Sequence, residues 1–350
     1  MRNRIEQNIN QLIEEIKIPE VKQNVYDFFV NDVLNYIDGV NKIVTESSSK
    51  NEYSLELEKK LETLNNQILL KGKKLEEEIK NNNIIEKVKD KFRELVGDFA
   101  YKGEIVKYAY EKPKGFPGDY KIIEIIYNNK QLSQGFGRYC DEYFLKSPYA
   151  VAVRYRKDKL KEILKDYILN SNLNEIKILN LACGSCREIR ELLEILDTKK
   201  YIYFTLIDWD EEALGFSKDE LLKFNKNNIV FNFVKEDILH LIKKDLTNFQ
   251  KQDFIYSIGL IDYLPDKILK RLIYVIFQLL NEKGKIVLTH KNREKTFPPL
   301  APDWFCDWKF VPRNKDEVIN LFYSCDIKNF KIDVTSDEFE YIYYFNIVKE

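Results

Sequence analysis

Lys177-Ile178-Leu179-Asn180-Leu181-Ala182-Cys183-Gly184-Ser185-Cys186-Arg187-Glu188 carries the clearest fold signal in the chain. A short apolar run enters a turn with a single glycine and leaves in a helical pattern, the strand–turn–helix opening of a wound α/β sheet. Beyond it, β-branched runs recur at 203–208, 229–234, 253–258 and 285–290, with helical stretches near 187–196, 211–224, 238–246 and 266–280 between them. Strands that alternate with helices predict a parallel sheet. A further helix over 315–324 leads into two alternating strands, 330–335 and 341–348, joined by the polar turn Ser336-Asp337-Glu338. The sheet is therefore expected to end in an antiparallel hairpin.

Upstream the period changes. Ile5, Ile9, Leu12, Ile13 and Ile16, then Val25, Phe28, Phe29, Val33, Tyr36, Ile37 and Val40, recur at three and four residues, as in helices. Leu57, Leu61, Leu64 and Ile68 mark a third helix, and Ile85, Val88, Phe92 and Leu95 a fourth beyond the Asn81-Asn82-Asn83 break. The division expected is a helical bundle over 1–98, a connector over 99–170 and the sheet over 171–350. A chain of 350 residues has room for two domains at about 150 residues each.

Composition narrows the class. Lys plus Arg (56) nearly cancels Asp plus Glu (57), so no global positive field draws the chain to nucleic acid or anionic lipid. The start, MRNRIEQNINQLIEEIKIPE, lacks an apolar core, and nowhere do about 18 uncharged apolar residues run together. A cytoplasmic protein without membrane insertion is expected. Five cysteines read as reduced thiols, and with two histidines no metal site is expected.

The turn after the first strand lies where open α/β sheets bind ligands. The full G-x-G-x-x-G phosphate cradle is missing, since Cys186 and Glu188 stand where further glycines would be, which disfavours NAD. A ligand without phosphates, such as S-adenosylmethionine (SAM), tolerates side chains there. Asp208 ends the second strand 24 residues after Gly184, near the interval at which a carboxylate reaches a ribose diol; Asp210 is the alternative, and either could instead cap a helix. Asp237 and Ile238 after the third strand suit an adenine, with helix capping the other reading of Asp237. After the fourth strand, Gly259 and Leu260 could let the chain pass the ligand, and Asp262 and Tyr263 could face the methyl donor or acceptor. His290 ends the fifth strand and could take a proton. Cys183 and Cys186 form a C-x-x-C, but no second pair supplies a zinc set.

Lys112-Pro113-Lys114-Gly115-Phe116-Pro117-Gly118-Asp119-Tyr120, followed by Ile123-Glu124-Ile125-Ile126-Tyr127, resembles a box found in a bacterial family of class I SAM-dependent methyltransferases. That family includes enzymes that make 3-hydroxy fatty acid methyl ester signals of the extracellular-factor type. Arg154 and Arg156, Ala182-Cys183-Gly184 with Arg187-Glu188, Gly259 to Leu264, and Asp307-Trp308 with Arg313 match in order, so the resemblance covers about 100–350. It implies a seven-stranded Rossmann-like methyltransferase sheet with an antiparallel end, SAM at Cys183, Gly184, Asp208 and Asp237, and the Gly115 to Tyr120 box as part of a substrate lid. The helical front and Thr289-His290-Lys291-Asn292 depart from the pattern. The box could also be a rigid turn in which Asp119 caps a helix.

The expected cofactor site is Ala182, Cys183, Gly184, Ser185, Asp208, Trp209, Asp237, Ile238, Ser257 and Gly259. The expected acceptor site is Phe116, Asp119, Tyr120, Arg154 and Arg156, with an aromatic wall of Trp304 and Trp308 in the 296–308 insertion that also holds Pro298, Pro299, Pro302 and Phe305. That insertion could instead pack the front bundle. The expected reaction is methyl transfer to an oxygen of a small molecule, a carboxylate or a hydroxyl, with His290, Asp262 and Tyr263 as candidate bases in that order. A SAM-binding protein without turnover, or a SAM-fold enzyme of other chemistry, is the alternative. The helical front is where a homodimer would form.

Overall fold

The computed structural model of the chain describes residues 1–49, 52–244, 249–295 and 301–350. In chain order the helices are α1 (Arg2–Glu15), α2 (Pro19–Asp27), a π-helical stretch (Phe28–Val33) running into α3 (Leu34–Ser49), α4 (Leu55–Ile79), α5 (Asn82–Ala100), α6 (Glu104–Glu111), α7 (Tyr120–Asn128), α8 (Phe136–Lys146) and α9 (Pro148–Asn170). Then follow β1 (Glu175–Leu181), α10 (Arg187–Ile195), β2 (Tyr201–Asp208), α11 (Glu211–Leu221), β3 (Ile229–Lys235), α12 (Ile238–Leu241), β4 (Gln252–Ile258), α13 (Asp266–Gln278), β5 (Leu280–Lys291), α14 (Ala301–Cys306), α15 (Lys315–Tyr323), β6 (Phe330–Ser336) and β7 (Ile342–Lys349).

These elements form two units. The sheet unit takes 119–127, the described part of 151–295, and 310–350. Its seven strands run in the order β3-β2-β1-β4-β5-β7-β6. β1 to β5 run parallel to one another, and β7 enters antiparallel between β5 and β6. The expected terminal hairpin is present, and Asp337 builds its turn by accepting from the N–H groups of Phe339, Tyr341 and Ile342. Strand composition follows position. β4 is buried through all but its last residue, so it reads as a continuous apolar run, whereas the edge strands β3 and β6 alternate. Alternate side chains feed two cores. Ile178, Phe204, Phe254 and Val287 pack on α9, α10 and α11, while Leu179, Ile207, Ile255, Ile286 and Phe345 pack on α13 and α15. The chain leaves β1 first toward β2 and later returns to β4, so the crevice where strand order reverses opens at the carboxyl ends of β1 and β4. The helix expected at 238–246 is observed only as Ile238–Leu241, and residues 245 and 246 lie outside the described residues.

The helical unit takes Met1–Gly118, Asn128–Ala150 and residues 301–309. The stretch 99–170 thus divides between the units, with α6 and α8 in this one and α7 and most of α9 in the other. The insertion after β5 supplies its core. Trp304 of α14 is 1% exposed and lies edge-on to Phe28 and Phe92, with ring centroids 5.6 and 5.2 Å away. Its indole N–H donates to Glu76 Oε1 at 2.7 Å. Lys89, also buried, pairs with Glu76 at 3.0 Å and Asp303 at 2.5 Å, and Arg93 Nη1 donates to the Asp303 carbonyl. Trp308 stacks on Phe144. Trp304, expected in an acceptor wall, is therefore a core residue of the helical unit, and Trp308 is buried there too. Pro298 and Pro299 lie outside the described residues.

A Cβ on Gly72 of α4 would lie 2.6 Å from Trp304 Cζ2. Overpacking of this kind costs about 1–3 kcal/mol. Gly72→Ala is expected to lower the thermal midpoint followed by tryptophan fluorescence; an unchanged midpoint would show that the indole shifts freely.

Candidate active site

The turn after β1 is built on left-handed backbone. Ala182, Gly184 and Cys186 have φ of 53°, 53° and 50°. Cys183 N–H donates to the Ile207 carbonyl, Gly184 N–H to Asp208 Oδ2 at 2.8 Å, and the Ser217 hydroxyl to the Gly184 carbonyl, so the turn is tied to the end of β2 and to α11. Cys183 and Cys186 point into the core, and the adjacent Cys186 thiol together with burial holds the Cys183 thiol well above its usual range. Gly184 faces open space, for a Cβ placed there would meet only Tyr120 Cβ, at 3.9 Å.

Asp208 and Asp210 separate cleanly. Asp210 accepts from Glu212 N–H at 3.0 Å and caps α11. Asp208, 7% exposed, accepts from Gly184 N–H and from Asp210 N–H at 2.9 Å, one bond to each oxygen. Each oxygen keeps a lone pair. Burial pushes its carboxyl above the usual range, and the backbone donors oppose that. Trp209 is half exposed beside it, at 48%. At the end of β3, Asp237 Oδ1 accepts from Leu239 N–H and caps α12, and Ile238 is buried. Ser185 is buried in the turn. Ser257, expected to face the cofactor, donates its hydroxyl to the Leu181 carbonyl at 2.6 Å and is 1% exposed, so it clamps β4 to β1 instead.

After β4, the Asp262 carboxylate is completely buried among cations. Lys291 donates to it twice, from its N–H at 2.9 Å and its ammonium at 2.7 Å; Arg156 Nη1 stands 3.5 Å away and His290 Nδ1 3.4 Å. Burial opposes ionisation, but the Lys291 and Arg156 cations hold the Asp262 carboxyl below its usual range. His290 is equally enclosed. Its Nδ1 donates to the Lys291 carbonyl at 2.8 Å and its Nε2 accepts from Arg313 Nη1 at 3.3 Å, because a carbonyl can only accept and a guanidinium only donate. Burial lowers its pKa, which keeps it neutral. His290 and Asp262, the first two candidate bases, are thus engaged as structural partners. Tyr263 is half-buried, its ring 5.5 Å from Phe310.

In the box, Phe116 is half-buried in the helical unit. Asp119 caps α7 by accepting from Lys121 and Ile122 N–H at 2.9 and 3.1 Å, which is the capping alternative. Tyr120 lies beside Gly184, with its hydroxyl donating to Glu212 at 2.8 Å and its ring 5.3 Å from Phe216. Glu124, unassigned from sequence, accepts from Arg187 at 2.9 Å and from Arg190, fastening α7 to α10. Arg154 is half-buried on α9.

The profile of the methyltransferase-domain family matches residues 172–346, half of the chain. The chain belongs to the methyltransferase-domain family. S-adenosylmethionine is the cofactor that membership brings. Among solved structures, a possible exported protein of Bordetella parapertussis aligns at 14% identity and TM-score 0.52, over 91% of this chain and 95% of that one. The sheet unit alone cannot supply that share, so the shared fold includes helices of the front, for which the sequence suggested no relative. A magnesium protoporphyrin IX methyltransferase from Synechocystis, solved with SAM, aligns at 13% over 57% of this chain and 83% of that one (TM-score 0.41). A SAM-dependent methyltransferase from Clostridium acetobutylicum aligns at 13% over 55% and 92% (TM-score 0.40). No curated protein matches the chain. Among the described residues no helix is long and apolar enough to cross a membrane.

Just beyond the turn, Glu188 of α10 is a buried acid with no role expected from its sequence position. Glu188 lies on the apolar stripe of α10 with Ile189, Leu192 and Leu193, a placement that could have flagged it. Its Oε1 accepts from the Tyr256 hydroxyl at 2.8 Å and from Asn180 Nδ2 at 3.0 Å, and burial pushes its carboxyl up to about 7. A folded pKa above the unfolded value of 4.5 means stability that is full below pH 4.5 and lost as pH rises through 7. The loss is roughly 3 kcal/mol. Glu188→Gln cannot ionise, so its stability by denaturant titration is expected to vary far less between pH 5 and pH 8 than that of wild type. Equal slopes would show that Glu188 is already ionised at pH 5.

Proposed function

We propose that the protein transfers the methyl group of S-adenosylmethionine to an oxygen of a small-molecule acceptor. The observation that carries the reading is the pairing of an open left-handed turn at Gly184 with the Asp208 carboxylate bonded to its backbone, at the switch point of a methyltransferase sheet. These residues fit the cofactor. Asp208 keeps acceptor capacity for a ribose diol, Asp237 and Ile238 offer an acceptor and an apolar face to an adenine, and the absence of a glycine cradle suits a ligand without phosphates. Bound there, the cofactor supplies an electrophilic methyl group on a sulfonium.

The chain's own part is to orient and exclude water. Tyr120, beside Gly184, borders the turn, and the buried cluster around Asp262 lies at the ends of β4 and β5. Catalysis rests on proximity, because in-line placement of two reactants can remove about 7–11 kcal/mol of the barrier. The engagement of His290 and Asp262 favours an acceptor that needs no base, and a carboxylate is such an acceptor. A hydroxy fatty acid, as the sequence resemblance implies, carries one. Incubation with methyl-labelled SAM and a panel of 3-hydroxy acids, plain fatty acids and alcohols, read by mass spectrometry, is expected to give labelled methyl esters. Labelled ethers alone would move the acceptor to a hydroxyl; adenosyl products other than S-adenosylhomocysteine would favour non-methyl chemistry; binding without turnover would favour a SAM-binding protein.

A further inference from the structure

The ends of β4 and β5 hold more buried positive charge than negative. Arg156 is 4% exposed and Lys291 7%. Asp262 is the carboxylate they share. His290 is neutral, and Arg313 is matched by Asp266 at 2.7 Å and by the carbonyls of Ile261 and Leu264. The bond from Arg156 to Asp262, at 3.5 Å, is at the limit of a hydrogen bond, and Arg156 Nε is buried with no partner among the described residues. A second buried donor, the Tyr344 hydroxyl on β7, also has no partner among the described residues, and it stands near enough for the Arg156 charge to act on it. Unmatched buried donors and a surplus charge are both costly, so a site that keeps them has a ligand to complete it. The backbone makes room for this arrangement. Gly259, at φ 96°, would place a Cβ 2.8 Å from Arg156 Nη1.

We propose that Arg156 and Lys291 form a carboxylate-binding site at the carboxyl ends of β4 and β5, filled by the amino-acid end of the cofactor or by the acid group of the acceptor. The ligand is a monoanion because the surplus is one charge; a phosphate dianion would leave negative charge unmatched. A guanidinium fork and an ammonium are the donor set for a planar two-oxygen anion. The proposal rests on the cofactor reading of the Gly184 turn. Burial, reinforced by Arg156, pushes the Lys291 ammonium down to about 8, and Asp262 opposes this. An arriving carboxylate adds to Asp262.

Calorimetry with wild type and Arg156→Met separates the two sources. If the site takes the cofactor's carboxylate, wild type binds SAM at least about tenfold more tightly than decarboxylated SAM and the variant binds both alike. If it takes the acceptor's, both adenosyl ligands bind alike, and 3-hydroxydecanoate binds wild type with S-adenosylhomocysteine at least about tenfold more tightly than it binds the variant. In either case ligand-free Arg156→Met melts no lower than wild type, since it loses surplus charge. Proton uptake by wild type at pH 8, measured in buffers of different ionisation enthalpy, needs no variant and is expected as the carboxylate raises the Lys291 pKa. Unchanged affinities for all ligands with a lower melting temperature, or no proton uptake, would make Arg156 a structural ion-pair partner and overturn the proposal. Failure of both adenosyl ligands to bind wild type would instead overturn the cofactor reading.

Discussion

Asp262→Ala is expected to lower the unfolding free energy of the sheet unit by about 3–5 kcal/mol, the cost of leaving buried charge uncompensated. The carboxylate has no exposed surface, and Lys291, at 2.7 Å, and Arg156 both depend on it. It also anchors backbone, accepting from Lys291 N–H while its carbonyl accepts from Val311 N–H. Adding Lys291→Met to Asp262→Ala removes one of the stranded cations and is expected to recover part of the loss, read as a coupling energy in a double-mutant cycle. A single variant as stable as wild type but inactive would restore Asp262 to the role of base.

Asp208→Asn is expected to weaken SAM binding at least about 30-fold, because a charge-assisted hydrogen bond contributes about 1.5–3 kcal/mol and the ribose diol can make two. The amide retains one acceptor, which preserves part of the bonding to Gly184 and Asp210 N–H and so keeps the turn folded. Asp208→Ala removes both acceptors and loosens the turn as well. Calorimetric affinities within threefold of wild type for the Asn variant would place the ribose elsewhere.

The strands were readable from sequence because each holds a short β-branched run between polar breaks, although β5 begins at Leu280, ahead of the run expected at 285–290, and the antiparallel end was readable because β6 and β7 are joined by a turn that Asp337 builds. Asp208 was readable for a similar reason: its place at a strand end is a local property of the chain. The partners of Asp262 and His290 were not. Arg156 comes from α9, 106 residues before Asp262, and Arg313 from beyond the insertion, so the burial and charge that take the first two of the three candidate bases out of play are set by topology and not by spacing. The same holds for Trp304. Its aromatic neighbourhood reads equally well as a binding wall or a packing anchor, and only its place between Phe28 and Phe92 over Gly72 decides for the core. The π-helical stretch at Phe28–Val33 lies inside what reads as one regular helix, since four buried apolar residues there satisfy the helical period on either winding.

The proposed function depends on S-adenosylmethionine occupying the crevice at Gly184 and Asp208. A ligand that binds only the folded state adds about 2.7 kcal/mol at a hundredfold excess over its Kd, enough to shift a melting curve visibly. Thermal unfolding with SAM, S-adenosylhomocysteine or NAD is therefore the most direct measurement. Stabilisation by the two adenosyl ligands and not by NAD is the predicted result. No shift with either, or a shift with NAD alone, would contradict it.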